Sequence, residues 1–253
     1  MRELSGLYAL WLREFIVFTR ERSRIASALF TPLLWLFIFG TALKTKVTVT
    51  GAGAGMDYRL FIFPGILCMV VLFTSLFFGV YIVWDRKIDF LKEVMVAPLR
   101  RTTIFMGKVL GGMTDSIIES VVILGMGIFL GVSYTLSSLA TAYVFIILLA
   151  VGMVSLGLII GSRMESPEGF GMVVSFVAFP MFFLSGALYQ VEDLPPWLTF
   201  LVYLDPVTYA VDGIRGALLG IGRFPLALDF ALLLLYAAAM VVAGSYSFRR
   251  MKV

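Results

Sequence analysis

From Leu60 to Trp84 the chain runs for 25 residues without one charged side chain. A helix on the surface of a soluble protein needs a polar face, and this stretch has none. About 20 apolar residues are enough to cross the hydrocarbon core of a bilayer as a helix. Five further segments are comparable: Ile25–Leu43, Val109–Val132, Leu136–Gly161, Gly169–Tyr189 and Leu226–Phe248. All are apolar on every side rather than alternating, which suits helices in lipid and excludes the strands of a membrane barrel. Composition agrees: 60% of the residues are hydrophobic and 14% charged, against about 25% charged in soluble domains. The expected fold is therefore all-α, with six transmembrane helices in a single membrane domain over residues 25–253. The first span starts too late and runs too long for a signal peptide, and no small-residue cleavage site follows it.

The charged residues between the spans set the topology. With the N-terminus inside, fifteen Lys and Arg fall on inner segments and five on outer ones, namely Lys44, Lys46, Arg59, Arg215 and Arg223. Positive charge stays on the cytoplasmic side, so both termini are expected there, in an inner or plasma membrane. The net charge of +4 fits anionic lipid as a partner and gives no reason to invoke nucleic acid. Over residues 1–24, Leu4, Leu7, Tyr8, Trp11, Phe15 and Phe18 recur at helical spacing among charged residues. This is the pattern of a helix lying in the headgroup layer. Residues 85–97 read as a short charged inner helix stopped by Pro98. Residues 190–225 hold apolar stretches too short to span, broken by Pro195, Pro196, Pro206 and Gly213. They are expected to form short re-entrant helices on the outer side. Gly51, Gly53 and Gly55 mark an outer loop.

The chemistry that is missing narrows the function. No GxxxxGK[ST] phosphate-binding loop, GxSxG, SxxK, HExxH or paired-cysteine motif occurs. With no His and one Cys, a His- or Cys-based metal site is not expected, and Cys68 reads as a small buried hydrophobe. No catalytic residue is assigned, and the chain is expected to bind no cofactor of its own. Asp115 and Glu119 stand one turn apart in the third span, where a charge is costly. Two readings remain open for them: a polar lining of a transport path, or structural partners near the inner interface. A proton relay would need a further membrane carboxylate or a His, and none is counted. Gly107 with Gly111, and Gly157 with Gly161, allow close helix approach.

Three stretches in order, KEVMVAPLRRTTIFMGKVLGG, FLSGALYQVEDLPPWL and YLDPVTYAVDGIRGALLG, resemble the permease subunits of type 2 ABC transporters, including the drug-resistance and nodulation-oligosaccharide exporters. The resemblance covers nearly the whole chain. It implies two copies of a separate ATPase subunit, which would hold ATP and Mg, and pairing with a second permease copy. It implies that Asp85, Arg86, Lys87, Asp89, Phe90, Leu91, Lys92 and Glu93 form a coupling helix seated on the ATPase. On that reading the charges set register and Phe90 and Leu91 fill the partner's pocket. It further implies that spans two and five line the pathway, which makes Phe73, Phe77, Phe176 and Phe179 candidate lining residues. Aromatic walls would suit a hydrophobic, amphipathic or lipid-linked cargo moved outward. Two alternatives use the same fold: an ion-coupled secondary transporter, which needs buried coordinating groups, and a force-transmitting subunit that moves no cargo.

Overall fold

The computed structural model describes residues 2–21, 30–36, 38, 57–191 and 194–251, Arg2 by its backbone alone. All regular structure among the described residues is helical. Five helices there are long and apolar enough to cross a membrane. The expected first span, Ile25–Leu43, lies largely outside the described residues, although residues 30–36 and 38 are helical. Gly51, Gly53, Gly55 and Asp193 also lie outside them.

The N-terminal segment forms helix α1, Arg2–Arg20, which buries Leu10, Glu14 and Phe18 and leaves Leu4 and Tyr8, two residues of the expected apolar face, exposed. The second expected span divides into α2, Tyr58–Phe77, and α3, Val80–Lys87. The break at Phe78–Gly79 puts Gly79 against the backbone of the fourth span: a Cβ on Gly79 would lie 2.1 Å from the Gly157 carbonyl oxygen. The helix also runs past Trp84 to Lys87, where Arg86 and Lys87 place positive charge at the negative end of its dipole. Ile88 and Asp89 interrupt it. Asp89 takes the left-handed conformation (φ 57°), which Asp tolerates better than most residues. The short inner helix α4 is Phe90–Val96. It ends where the sequence places it, with Ala97 extended (φ −61°, ψ 145°) before Pro98.

The third span is α5, Arg101–Phe129, which begins earlier than its apolar core. The fourth, α6, is Leu136–Gly161, as read from sequence, and opens on a Thr135/Ser138 capping box. The fifth, α7, is Pro167–Leu184, with Ser166 as N-cap and Pro167 at the first helical position. It ends before Tyr189 because the chain turns at Gly186 (φ 68°). Two short helices follow: α8, Pro196–Leu204, and α9, Pro206–Leu219. Pro196 and Pro206 start these helices. Gly213, read as a break, sits inside α9, where the Phe145 ring presses so close that a Cβ would meet it at 2.4 Å. The sixth expected span is α10, Leu226–Arg250.

Lipid tails are as apolar as leucine, so close backbone approach and polar contacts, not burial from water, hold membrane helices together. α6 is the hub, packed on α2, α5, α9 and α10. Gly157 and Gly161 meet the α2–α3 break, where added Cβ atoms would lie 2.3 Å from the Leu76 and Gly79 carbonyl oxygens respectively. Gly107 and Gly111 serve a different neighbour. They form the groove in α5 that receives Leu10 and Glu14 of α1.

Candidate functional site

Three polar or aromatic regions stand out in the bundle. The first is the α3–α4 corner. Lys87, Asp89, Lys92 and Glu93 are exposed, together with Trp84, Ile88 and Val96. Lys92 and Asp89 form an ion pair at 2.7 Å. The other residues of the expected coupling segment turn inward. Leu91 packs with Phe78, Ile82, Phe105 and Phe248. The Phe90 ring lies 3.9 Å beneath the Arg13 guanidinium. Arg86 reaches the end of α6, and Asp85 is 2% exposed. The segment is thus two-sided: a charged and apolar outer face on a base fixed to the rest of the chain.

Asp85 belongs to a buried ionic cluster absent from the sequence expectation. Lys108 of α5 donates to Glu14 of α1 at 2.7 Å and to Asp85 of α3. Arg13 donates to Glu14 at 2.7 Å and to Asp85 at 2.8 Å. Glu14, Asp85 and Lys108 are each at most 2% exposed. Burial alone would lower the Arg13 pKa, but Asp85 and Glu14 outweigh it and raise the pKa above the usual arginine value. Two cations alternate with two anions, so the cluster is neutral and its charges are matched within a low dielectric. It joins α1, the end of α3 and the first turns of α5. Trp11 adds a bond to Thr114 at 2.9 Å, and Glu3 accepts from Thr103.

Asp115 is fully buried one turn below Glu119. Glu119 accepts from Thr74 of α2, and Ser75 and Ser116 bond at 2.8 Å beside it. Thr74 in turn lines a cavity of about 680 Å³ between α2, α7 and residues 31–35. Its walls are aromatic: Trp35, Phe73, Phe77, Phe179 and Phe182, with Phe73 and Phe179 packed edge to face at 5.2 Å. The structure brings Phe73, Phe77 and Phe179 together here. Phe176 is outside the cavity and 76% exposed.

The third region is built by α9 and the loop after it. Asp205 caps α9 by accepting from the Val207 N–H at 3.0 Å. Burial pushes its carboxyl up to about 8, against the lowering effect of that bond. Arg215 donates to the Gly186 carbonyl at 3.0 Å and stacks on Phe61. Asp212 accepts from the Arg223 and Phe224 N–H groups at 2.8–2.9 Å. Behind it lies Asp229, fully buried on the first turn of α10. The count of membrane carboxylates is therefore corrected to include a third, Asp229. It was legible in the sixth span, and is easily passed over because one Asp barely lowers the mean hydropathy of so long a run. Glu14 and Lys108 could not have been found this way, since they lie 94 positions apart.

These features define a class: a polytopic helical membrane protein with an exposed charged corner, a buried ionic cluster behind it and an aromatic cavity between its helices. Residues 5–219 match the ABC-2 type transporter family, and the chain belongs to it. It is 28% identical to the inner membrane transport permease YadH of Escherichia coli K12 over 92% of this chain and 91% of that one. It is 30% identical to the putative transport permease ycf38 of Cyanophora paradoxa over 84% of this chain and 73% of that protein. A probable multidrug ABC transporter permease, YbhR of E. coli K12, is 26% identical over 62% of this chain and 43% of its own length. The chain is a transport permease subunit, a type of membrane protein that generally works with an ATPase subunit.

Proposed function

We propose that this permease is the membrane half of an ATP-driven exporter, working as a pair with two ATPase subunits on its cytoplasmic side. Both termini face the cytoplasm on this reading. The observation that carries it is the two-sided α3–α4 corner. Its outer face offers Lys87, Asp89, Lys92 and Glu93 around exposed Trp84, Ile88 and Val96, a mixed charged and apolar surface of the kind partners bury. Its base is tied by Asp85 into the bundle. Closure of the ATPase pair would then displace a lever and not merely a loop. The aromatic cavity favours a hydrophobic or amphipathic cargo, since among the described residues its walls offer π faces and few polar groups, the hydroxyls of Thr31, Thr74 and Ser175 and the Trp35 indole N–H.

The test is binding of the ATPase subunits to the reconstituted permease. Charge reversal at Lys87, Lys92 and Glu93 together should weaken ATPase binding while the permease stays folded. Undiminished binding would exclude this corner as the seat. One observation favours a second reading, ion coupling: three buried carboxylates, Asp115, Glu119 and Asp229, lie within the spans. Uptake driven by a pH gradient in liposomes holding the permease alone would establish it in place of the first.

A further inference from the structure

Asp85 and Arg86 are consecutive on α3 and point to different helix pairs. Asp85 is bound to α1 and α5 through the ionic cluster. Arg86 points to the other side, where its guanidinium donates to the carbonyl oxygens of Gly161 at 3.1 Å, Ser162 at 3.0 Å and Met164 at 3.2 Å. These carbonyls close α6 and open the turn into α7. The last carbonyls of a helix have no partner within it and form the negative end of its dipole, so a planar cation with several donors is the matching cap. The same junction is gripped by backbone contact, because Gly79 lies against Gly157 and Gly161 with no room for a side chain. A third attachment joins Ser162 to Ser247 of α10 at 3.0 Å. The turn leads into Pro167, and α7 carries Ser175, Phe179 and Phe182 to the cavity wall.

We propose that Arg86 is the positioning residue through which the inner corner holds the α6–α7 turn, so that displacement of α3–α4 is delivered to the α7 wall of the cavity. The delivery step rests on the ATP-driven reading above; the grip itself does not. Three carbonyls bound by one guanidinium form a joint that resists both sliding and rotation. A lysine at the same place would offer a single ammonium and reach fewer of them at once.

Two measurements separate the grip from the delivery. In the first, the full chain in lipid nanodiscs, with Cys68→Ala, carries spin labels at Lys92→Cys and Glu165→Cys, both exposed positions. With Arg86 present the distance between labels should be single and narrow. Arg86→Gln should broaden or shift it, and Arg86→Lys should fall between. An unchanged distance in Arg86→Gln overturns the grip whether or not the protein is an exporter. In the second, the complex with its ATPase subunits carries Phe179→Cys, labelled by a water-soluble thiol reagent with and without ATP. ATP should change the labelling rate about tenfold, the scale of one charge-assisted hydrogen bond, and Arg86→Gln should abolish that change. If ATP still changes labelling in Arg86→Gln, the delivery role is wrong. If ATP has no effect even with Arg86 present, the ATP-driven reading fails and the delivery role with it, while the first measurement still decides the grip. Should Arg86→Gln not fold, Arg86→Lys carries both measurements.

Discussion

Replacing Lys108 by methionine removes the one ammonium that joins Glu14 to Asp85 and leaves a side chain of similar length. The two carboxylates would then depend on Arg13 alone, whose side chain is 29% exposed where theirs are 2–3% exposed. Breaking a buried ion pair from one side costs about 3–5 kcal/mol, because a charge is left uncompensated out of water. Screening does little to reduce this, since Lys108 is 1% exposed. Against a total stability of about 5–15 kcal/mol the loss is large. It should appear as an early transition when the purified chain in mixed micelles is titrated with sodium dodecyl sulfate. Hydrogen exchange should quicken first in α1, which the cluster fastens to α5. The double variant Lys108→Met with Asp85→Asn leaves the Arg13–Glu14 pair balanced. Its loss should fall short of the sum of the single losses by about 1–3 kcal/mol. A single-variant loss below about 1 kcal/mol, or simple additivity, would refute the view that these four charges act as one unit.

Other expectations follow from the same geometry. The Asp205 carboxyl is pushed up to about 8 in the fold, above its unfolded value of 3.8. The folded state therefore holds the proton more tightly, and the stability this contributes is full below the unfolded pKa and lost as pH rises toward 8. Asp205→Asn keeps an N-cap and should flatten that decline in thermal scans between pH 4 and pH 8; an unaltered slope would mean another group sets it. Gly79→Ala would force a Cβ to 2.1 Å from a backbone oxygen, and a melt should show a loss of about 2 kcal/mol or more. Gly125→Ala meets nothing within 4 Å and should be neutral or gain up to about 1 kcal/mol from helix propensity. For orientation, Ser133→Cys should react with an impermeant reagent from outside and Lys92→Cys only after the membrane is opened. The opposite result would invert the topology.

Much of the fold is local and could be read directly. An uncharged run such as Leu136–Gly161 can satisfy its backbone in lipid only as a helix, so its limits follow from composition and from the Thr135 cap. The Pro98 stop and the Pro196 and Pro206 starts are set by the proline ring, which acts on its immediate neighbours. The inner corner was placed by the charged stretch between two apolar runs. Its division into outward and inward residues was not, because a seven-residue helix with a left-handed entry at Asp89 follows no simple period.

The amino-acid sequence alone determined that this chain lives in a membrane, that its described spans are helices and that a short helix stops just before Pro98, because each of these depends on residues near one another along the chain. Only the tertiary structure decided that Lys108 belongs with Glu14 and Asp85, that Gly213 lies within a helix, and that Arg86 caps α6. Those outcomes depend on which helices become neighbours. Between distant segments a charge or a glycine carries no mark of its partner until packing brings the two within a few ångströms.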